Sequence, residues 1–178
     1  TMISAPPTAQ DRKPATVEGA PTPVAKALSQ DSDFSSPEDF IDAVFPAAVE
    51  VAGELGVDPA VLVAQSALET GWGQHMIPRP KGQPSYNLFG IKADQRWQGD
   101  VAKVTTTEYV AGKAVKEVAT FRAYGSYEES FRDYLDFVRN QPRYARAVAL
   151  ADQPEGYMTA LQEAGYATLK YTFAPDEL

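Results

Sequence analysis

Apolar positions first fall into a helical rhythm at Phe40, Ile41, Val44, Phe45, Ala48, Ala52 and Leu55. The run opens on Ser36-Pro37-Glu38-Asp39, where a serine can cap, a proline fits the first turn and two acids meet the helix dipole. Gly56 closes it, and Pro46 inside it predicts a kink or a division. Asp58-Pro59 restarts a helix, AVLVAQSALET, which Gly71 ends. From Gly73 to Asp100 there are prolines, glycines and no sustained period, which predicts a long loop region of the functional kind. VAKVTTTEYV and AVKEVATFRAY are rich in Val, Thr, Tyr and Phe and are joined by Ala111-Gly112-Lys113, a β-hairpin signal. Ser126 and Glu129 then form a capping box ahead of the stripe Tyr127, Phe131, Tyr134, Leu135 and Val138. Pro142 interrupts that stripe, and two shorter helices follow around residues 144–151 and 154–164, closed by Gly165. The fold class is α+β, mainly α, with one inserted hairpin.

Ahead of this pattern the chain changes character. Its first 33 residues hold none of the 8 Phe, 9 Tyr and 2 Trp but five of the 14 prolines. Such a stretch cannot bury enough apolar surface to offset chain entropy. Residues 1–35 are therefore expected to be a disordered Pro-rich linker and 36–178 the globular domain, and a chain opening on a linker is expected to belong to something longer. With 178 residues, 44% of them hydrophobic, one domain plus a tail is the natural division. The absence of cysteine excludes a disulfide framework, a thiol nucleophile and a cysteine-ligated metal. The single histidine, His75, speaks against a Ser-His-Asp triad or a histidine-rich metal site, and is read as loop structure. No metal or other cofactor is expected. A net charge of -8 disfavours nucleic acid as a partner, and no apolar run reaches the roughly 18 residues of a bilayer span. No signal region follows Thr1, so targeting information is absent or lies upstream.

Glu69 is the most informative residue. From Ala60 to Leu68 the helix carries no charge, and its only polar side chains are Gln65 and Ser66. A helix apolar on most faces is normally buried, and carboxylates are rarely buried without a reason. Desolvation and a place in the last helical turn should both raise the pKa of this carboxyl. A carboxylic acid held protonated near neutral pH is what a glycosidase general acid requires. The competing reading is an exposed glutamate at a helix end.

Four motifs extend this picture: AQSALETGWGQ at 64–74, PSYNLFGIKA at 84–93, TTEYVAGK at 106–113 and AGYAT at 164–168. Together and in this order they resemble the flagellar peptidoglycan hydrolases of glycoside hydrolase family 73, the β-N-acetylglucosaminidases that cut bacterial cell wall. The resemblance covers about residues 36–168. It implies a lysozyme-like helical domain with the hairpin as a second lobe, peptidoglycan glycan strands as partner, and a periplasmic location. It also implies rod proteins as partners, met through an N-terminal domain that this chain lacks.

By that resemblance Glu69 matches the essential general acid, and Glu108, in TTEYV, a second acidic residue on the β-lobe. Taken by itself, Glu108 is equally a solvated strand residue sharing a face with Val104 and Thr106. As general base it would position a water; in a rival mechanism the substrate's 2-acetamido group attacks instead. Tyr166 matches a catalytic tyrosine near the acid that orients the substrate's acetamido group, though a tyrosine packed after a helix cap fits as well. Tyr86, Asn87, Phe89, Gly90 and Lys92 match the substrate-cleft motif, with Leu88 and Ile91 as core. Trp72 either shields the acid or packs structurally, and Trp97 is a loop anchor or an outer subsite. Between Gln74 and Lys103 five basic residues oppose two acids, a plausible contact for anionic stem peptides and equally a solvated face. Beyond Thr168 the chain departs from the family pattern. The expected activity is that of an endo-β-N-acetylglucosaminidase opening the wall for flagellar rod assembly. The alternatives are a muramidase, a lytic transglycosylase, or a non-catalytic wall-binding or rod-assembly module.

Overall fold

The computed structural model describes residues 34–166, the side chains of Thr106 and Glu108 excepted. The linker expected over residues 1–35 therefore falls almost wholly outside the described residues, as does the atypical C-terminal stretch.

Helix α1, Pro37–Ala52, starts where Ser36 Oγ accepts from the Asp39 N–H at 3.2 Å. Pro46 does not divide it. The N–H that proline lacks would have bonded the carbonyl of Asp42, and both residues are exposed, so water can serve that oxygen. The buried stripe Phe40, Val44, Ala47, Ala48 and Val51 runs past the proline on the opposite side. The helix stops at Ala52, and the N–H of Gly56, at φ 79°, returns to the Ala52 carbonyl. Helix α2, Pro59–Thr70, begins with Asp58 accepting from the Ala60 N–H at 2.8 Å.

Strands β1, Val101–Val110, and β2, Lys113–Arg122, pair antiparallel from Val101↔Arg122 to Val110↔Lys113. The connecting turn is two residues, Ala111 and Gly112, at φ 51° and 77°. Both are left-handed, as a twist-matched tight hairpin requires. A small core of Ile77, Ala102, Val104, Phe121 and Ala123 forms at the hairpin's root. There the N–H of Ala93 donates to Thr120 and that of Arg122 to Ile91, with Lys92 bridging Phe121. Farther out, Tyr109, Val110, Val115 and Val118 are exposed.

Helix α3, Tyr127–Arg139, carries the predicted cap: Ser126 Oγ accepts from the Glu129 N–H at 3.2 Å. The return bond goes one residue further back than in a standard capping box, with Glu129 Oε2 accepting from the Gly125 N–H at 2.7 Å. A single turn at Pro142–Tyr144 leads into α4, Ala145–Ala149, and α5, Pro154–Glu163. Helix α1 packs on both α2 and α3, and α4 on α5. Phe40, Leu62, Phe131, Tyr134, Leu135 and Tyr157 are wholly enclosed between them. Among the described residues no helix is long and apolar enough to cross a membrane.

Candidate active site

Glu69 lies in the last turn of α2 and is 6% exposed, as the apolar helix before it predicts. The helix is stopped directly behind it. Gly71, Trp72 and Gly73 follow with φ of 56°, 57° and 77°, three left-handed residues in succession. For Trp72 that conformation costs roughly 1–2 kcal/mol. A β-carbon on Gly71 would come within 2.7 Å of the His75 ring, and one on Gly73 within 2.2 Å of Phe34 and 2.8 Å of Phe40. Thr70 secures the reversal: its hydroxyl donates to the Ser66 carbonyl at 2.7 Å and accepts from the Gly73 N–H at 3.0 Å. His75 is thus part of the loop's structure, its N–H donating to the Thr70 carbonyl. Trp72 emerges 41% exposed, with its ring edge-on to Phe40 at 6.5 Å.

Gln65 is one turn before Glu69 on the same side of α2, and it too is buried. Its Oε1 accepts from the Tyr134 hydroxyl at 3.0 Å, and the Tyr134 and Tyr157 hydroxyls lie 2.6 Å apart. Burial, with the neighbouring tyrosines adding to it, holds the Tyr134 hydroxyl far above its ordinary pKa. Burial does the same to Tyr157, against the bond from Tyr134. Both are therefore fixed neutral groups at any physiological pH. Tyr166 is buried, its ring 5.8 Å from Tyr134, 5.7 Å from Tyr144 and 6.4 Å from Phe137. It thus joins an aromatic cluster that backs the acid-bearing helix. Gln65 and Tyr157 were missed by sequence reasoning. The available signal was a lone amide four residues before the acid in an apolar helix.

The loop motif divides in two. Tyr86, at φ 55°, is half-buried with its ring edge-on to Tyr127 at 4.9 Å, and Lys92 has an exposed side chain. Asn87 and Phe89, expected on the cleft wall, are each 1% exposed and serve the fold. Asn87 Oδ1 accepts from the N–H groups of Phe89 and Ile91, at 3.3 and 3.2 Å. Its Nδ2 donates to the carbonyls of Ile91 and Arg122, at 3.0 and 2.8 Å. An amide so committed ties the loop to the end of β2 and has no capacity left for a sugar. Phe89 stacks on Tyr134 at 4.1 Å and meets Phe131 edge-on, which makes it core. Trp97 is anchored in its loop: its Nε1 donates to the Asp100 carbonyl at 2.8 Å, and the Arg122 guanidinium sits 4.8 Å over its ring.

Glu108 pairs through its backbone with Val115, four residues beyond buried Val104. Its side chain lies outside those described, and so does the carboxylate separation on which a two-acid mechanism depends. Among the described residues no cluster of His, Asp or Glu could hold a metal ion.

Residues 45–174 match the model of the glucosaminidase family, described as mannosyl-glycoprotein endo-β-N-acetylglucosaminidase. Peptidoglycan hydrolase FlgJ of Pseudomonas aeruginosa is 49% identical over 149 residues, which are 84% of this chain and 36% of that protein. A C-terminally truncated glycoside hydrolase domain of Salmonella typhimurium FlgJ superposes with a TM-score of 0.67 at 46% identity, covering 75% of this chain and 87% of that one. A mutant peptidoglycan hydrolase from Sphingomonas sp. A1 gives a TM-score of 0.63 at 48% identity, covering 75% and 84%. This chain spans less than half the length of the P. aeruginosa protein. A buried carboxyl at the end of an apolar helix, a hairpin beside a helical body, and a family match over most of the chain agree: the protein belongs to the glucosaminidase family of glycoside hydrolases.

Proposed function

We propose that this domain hydrolyses the β-1,4 bond on the reducing side of N-acetylglucosamine in peptidoglycan, with Glu69 as general acid. The observation that supports this most is the burial of Glu69, 6% exposed on a helix whose preceding residues are uncharged. A carboxyl in that setting, when protonated, can deliver its proton to the glycosidic oxygen as the bond breaks. Trp72 and Tyr86, exposed and half-exposed on left-handed backbone near the acid and the loop motif, offer ring faces to the sugar. Lys92 offers a cation to the anionic lactyl or stem carboxylates. Tyr166 holds the aromatic backing of α2. Glu108, on the outer half of β1, is the base that activates water, or a supporting group if the 2-acetamido group attacks. The biological setting proposed from the resemblance to flagellar hydrolases is the periplasm, where the wall must open for a rod, with rod proteins met through a further domain.

Mass spectrometry of digested peptidoglycan tests this. Reducing-end N-acetylglucosamine is the expected product. Reducing N-acetylmuramic acid or an anhydromuramic end would replace the reading with a muramidase or a lytic transglycosylase. Glu69→Gln is expected to abolish release while leaving the melting temperature unchanged or raised, since a buried carboxyl is replaced by a neutral isostere. Undiminished wall remodelling by Glu69→Gln would instead indicate a non-catalytic module.

A further inference from the structure

A pocket that Glu69 does not line lies between the root of the hairpin and the C-terminal end of α3. Its volume is about 340 Å³, near the lower end of the roughly 300–1,000 Å³ typical of small-ligand sites and on the scale of one sugar ring. Trp97, Arg122 and Phe137 line it, with the guanidinium between the two rings, 4.8 Å from one and 6.0 Å from the other. Arg122 is held there by two bonds to Asp133, at 3.1 and 3.3 Å, and by Nε donating to the Lys92 carbonyl.

The pocket's charge is internally matched. Asp133 is paired with Arg122, Asp94 with Arg96 at 3.1 Å, and Asp136 with Arg139. Burial pushes the Asp94 carboxyl up, but the bonds from Arg96 outweigh it and hold the group below its usual range. A site balanced in this way has no excess charge to attract an ionic ligand. What it offers are a planar stack, the Arg122 guanidinium between the Trp97 and Phe137 rings, and, from Asn140 and Gln141, amides that both donate and accept. Flat faces for C–H groups and planar polar groups for hydroxyls are the requirements of a neutral sugar.

We propose that this pocket is an outer subsite that holds one N-acetylhexosamine unit of the glycan strand, remote from the bond being cut. The proposal rests on the peptidoglycan-hydrolase reading above. Phe137 connects the two regions: it lines the pocket and meets Tyr166, whose cluster backs the helix bearing Glu69. A strand reaching both Glu69 and this pocket would be gripped at two points, which favours long strands over fragments.

The test compares long peptide-free glycan strands with short fragments as substrates for the wild type and for Asn140→Ala/Gln141→Ala. Asn140 is the exposed cap of α3 and half-buried Gln141 follows it, and Gln141→Ala alone serves if the pair lowers the melting temperature. The expected result is a loss of the long-over-short preference by about tenfold, carried in KM, corresponding to about 1.4 kcal/mol of binding. Equal loss on both substrates, or no loss, would overturn the subsite. Titration of Glu69→Gln with N-acetylglucosamine oligomers should show binding that the pocket variants weaken. Binding only to peptide-bearing fragments would reassign the pocket to the stem and overturn the sugar assignment. The reading of the reaction fails separately, on the identity of the wild-type reducing end.

Discussion

Replacing Asn87 by alanine separates a residue that touches substrate from one that holds the loop. The substitution removes four hydrogen bonds at once. The carbonyl of Ile91 keeps a donor, the N–H of Arg122. The N–H groups of Phe89 and Ile91 and the carbonyl of Arg122 lose the partner that Asn87 supplied, in surroundings where Phe89 and Ile91 are 1% and 2% exposed. An unsatisfied buried polar group costs about 1–3 kcal/mol. Three such groups, partly relieved by loop relaxation or an entering water, give a loss of roughly 3–5 kcal/mol, a large part of the 5–15 kcal/mol that holds a typical domain folded. Urea unfolding followed by tryptophan fluorescence measures it, and the midpoint of thermal melting should fall by about 10 °C. Asn87→Asp should be nearly as severe, since it keeps the acceptor for two N–H groups but turns a carboxylate oxygen towards two carbonyls. Below its melting range the surviving folded Asn87→Ala protein should lose turnover only as far as the hairpin root is loosened, so that the fall in kcat tracks the loss of stability. A stability loss under about 1 kcal/mol together with a large fall in kcat would refute the structural assignment and return Asn87 to the cleft wall.

Three further substitutions probe other parts of the fold. Gly73→Ala should destabilise by about 2–4 kcal/mol in chemical denaturation, because the new methyl meets Phe34 and Phe40 at left-handed backbone. Tyr157→Phe should flatten the alkaline limb of the stability curve. The raised pKa of Tyr157 means that the folded protein keeps a proton which the unfolded chain releases near pH 10, so the stabilisation is complete below that pH and declines above it. An unaltered dependence of melting temperature on pH between about 9 and 11 would contradict this. Asp133→Asn should weaken the tie between β2 and α3 by about 1–3 kcal/mol, read as faster amide exchange at the hairpin root, since the Arg122 guanidinium and the Tyr124 hydroxyl both bond that carboxylate.

Where periodicity, capping and turn chemistry acted together, the fold was legible. The Ser36 and Ser126 caps, the Gly71 stop and the first strand are where local pattern places them, while the second strand begins one residue earlier, at Lys113, and ends two earlier, at Arg122. The misreadings share one cause. Pro46 was read as a kink or a division, and the division fails because a local rule cannot see that the orphaned carbonyl faces water while the buried stripe continues on the other side. Asn87 and Phe89 looked like cleft residues because a motif marks importance without saying whether it concerns substrate or scaffold. An amide that crosslinks residues 35 positions apart leaves no trace in a local window. Gln65 and Tyr157 were hidden for the same reason, since their partner Tyr134 belongs to a helix whose stripe explained it fully as core.

The hairpin sets the remaining problem of the site, which is mechanical. An isolated two-stranded ribbon is marginal in water, and among the described residues this one is packed at its base. Of β2, residues 113–118 are exposed throughout. Glu108 stands four residues beyond Val104, about 13 Å farther along the strand. A carboxylate on such a cantilever can be aimed only through its attachment. That attachment is unusually dense: Arg122 is bonded to Asp133, stacked on Trp97 and tied to Lys92, while its own carbonyl receives Asn87 and Tyr124 hydrogen-bonds the same Asp133. Any small rotation at this root is magnified at residue 108. The loop motif that resembles a substrate wall is thus, in part, the hinge plate of the second lobe. On the proposed role of Glu108, substitutions in it should disturb catalysis through the placement of that residue even where they touch no sugar, and they should do so in proportion to their effect on the root rather than on the strand tip.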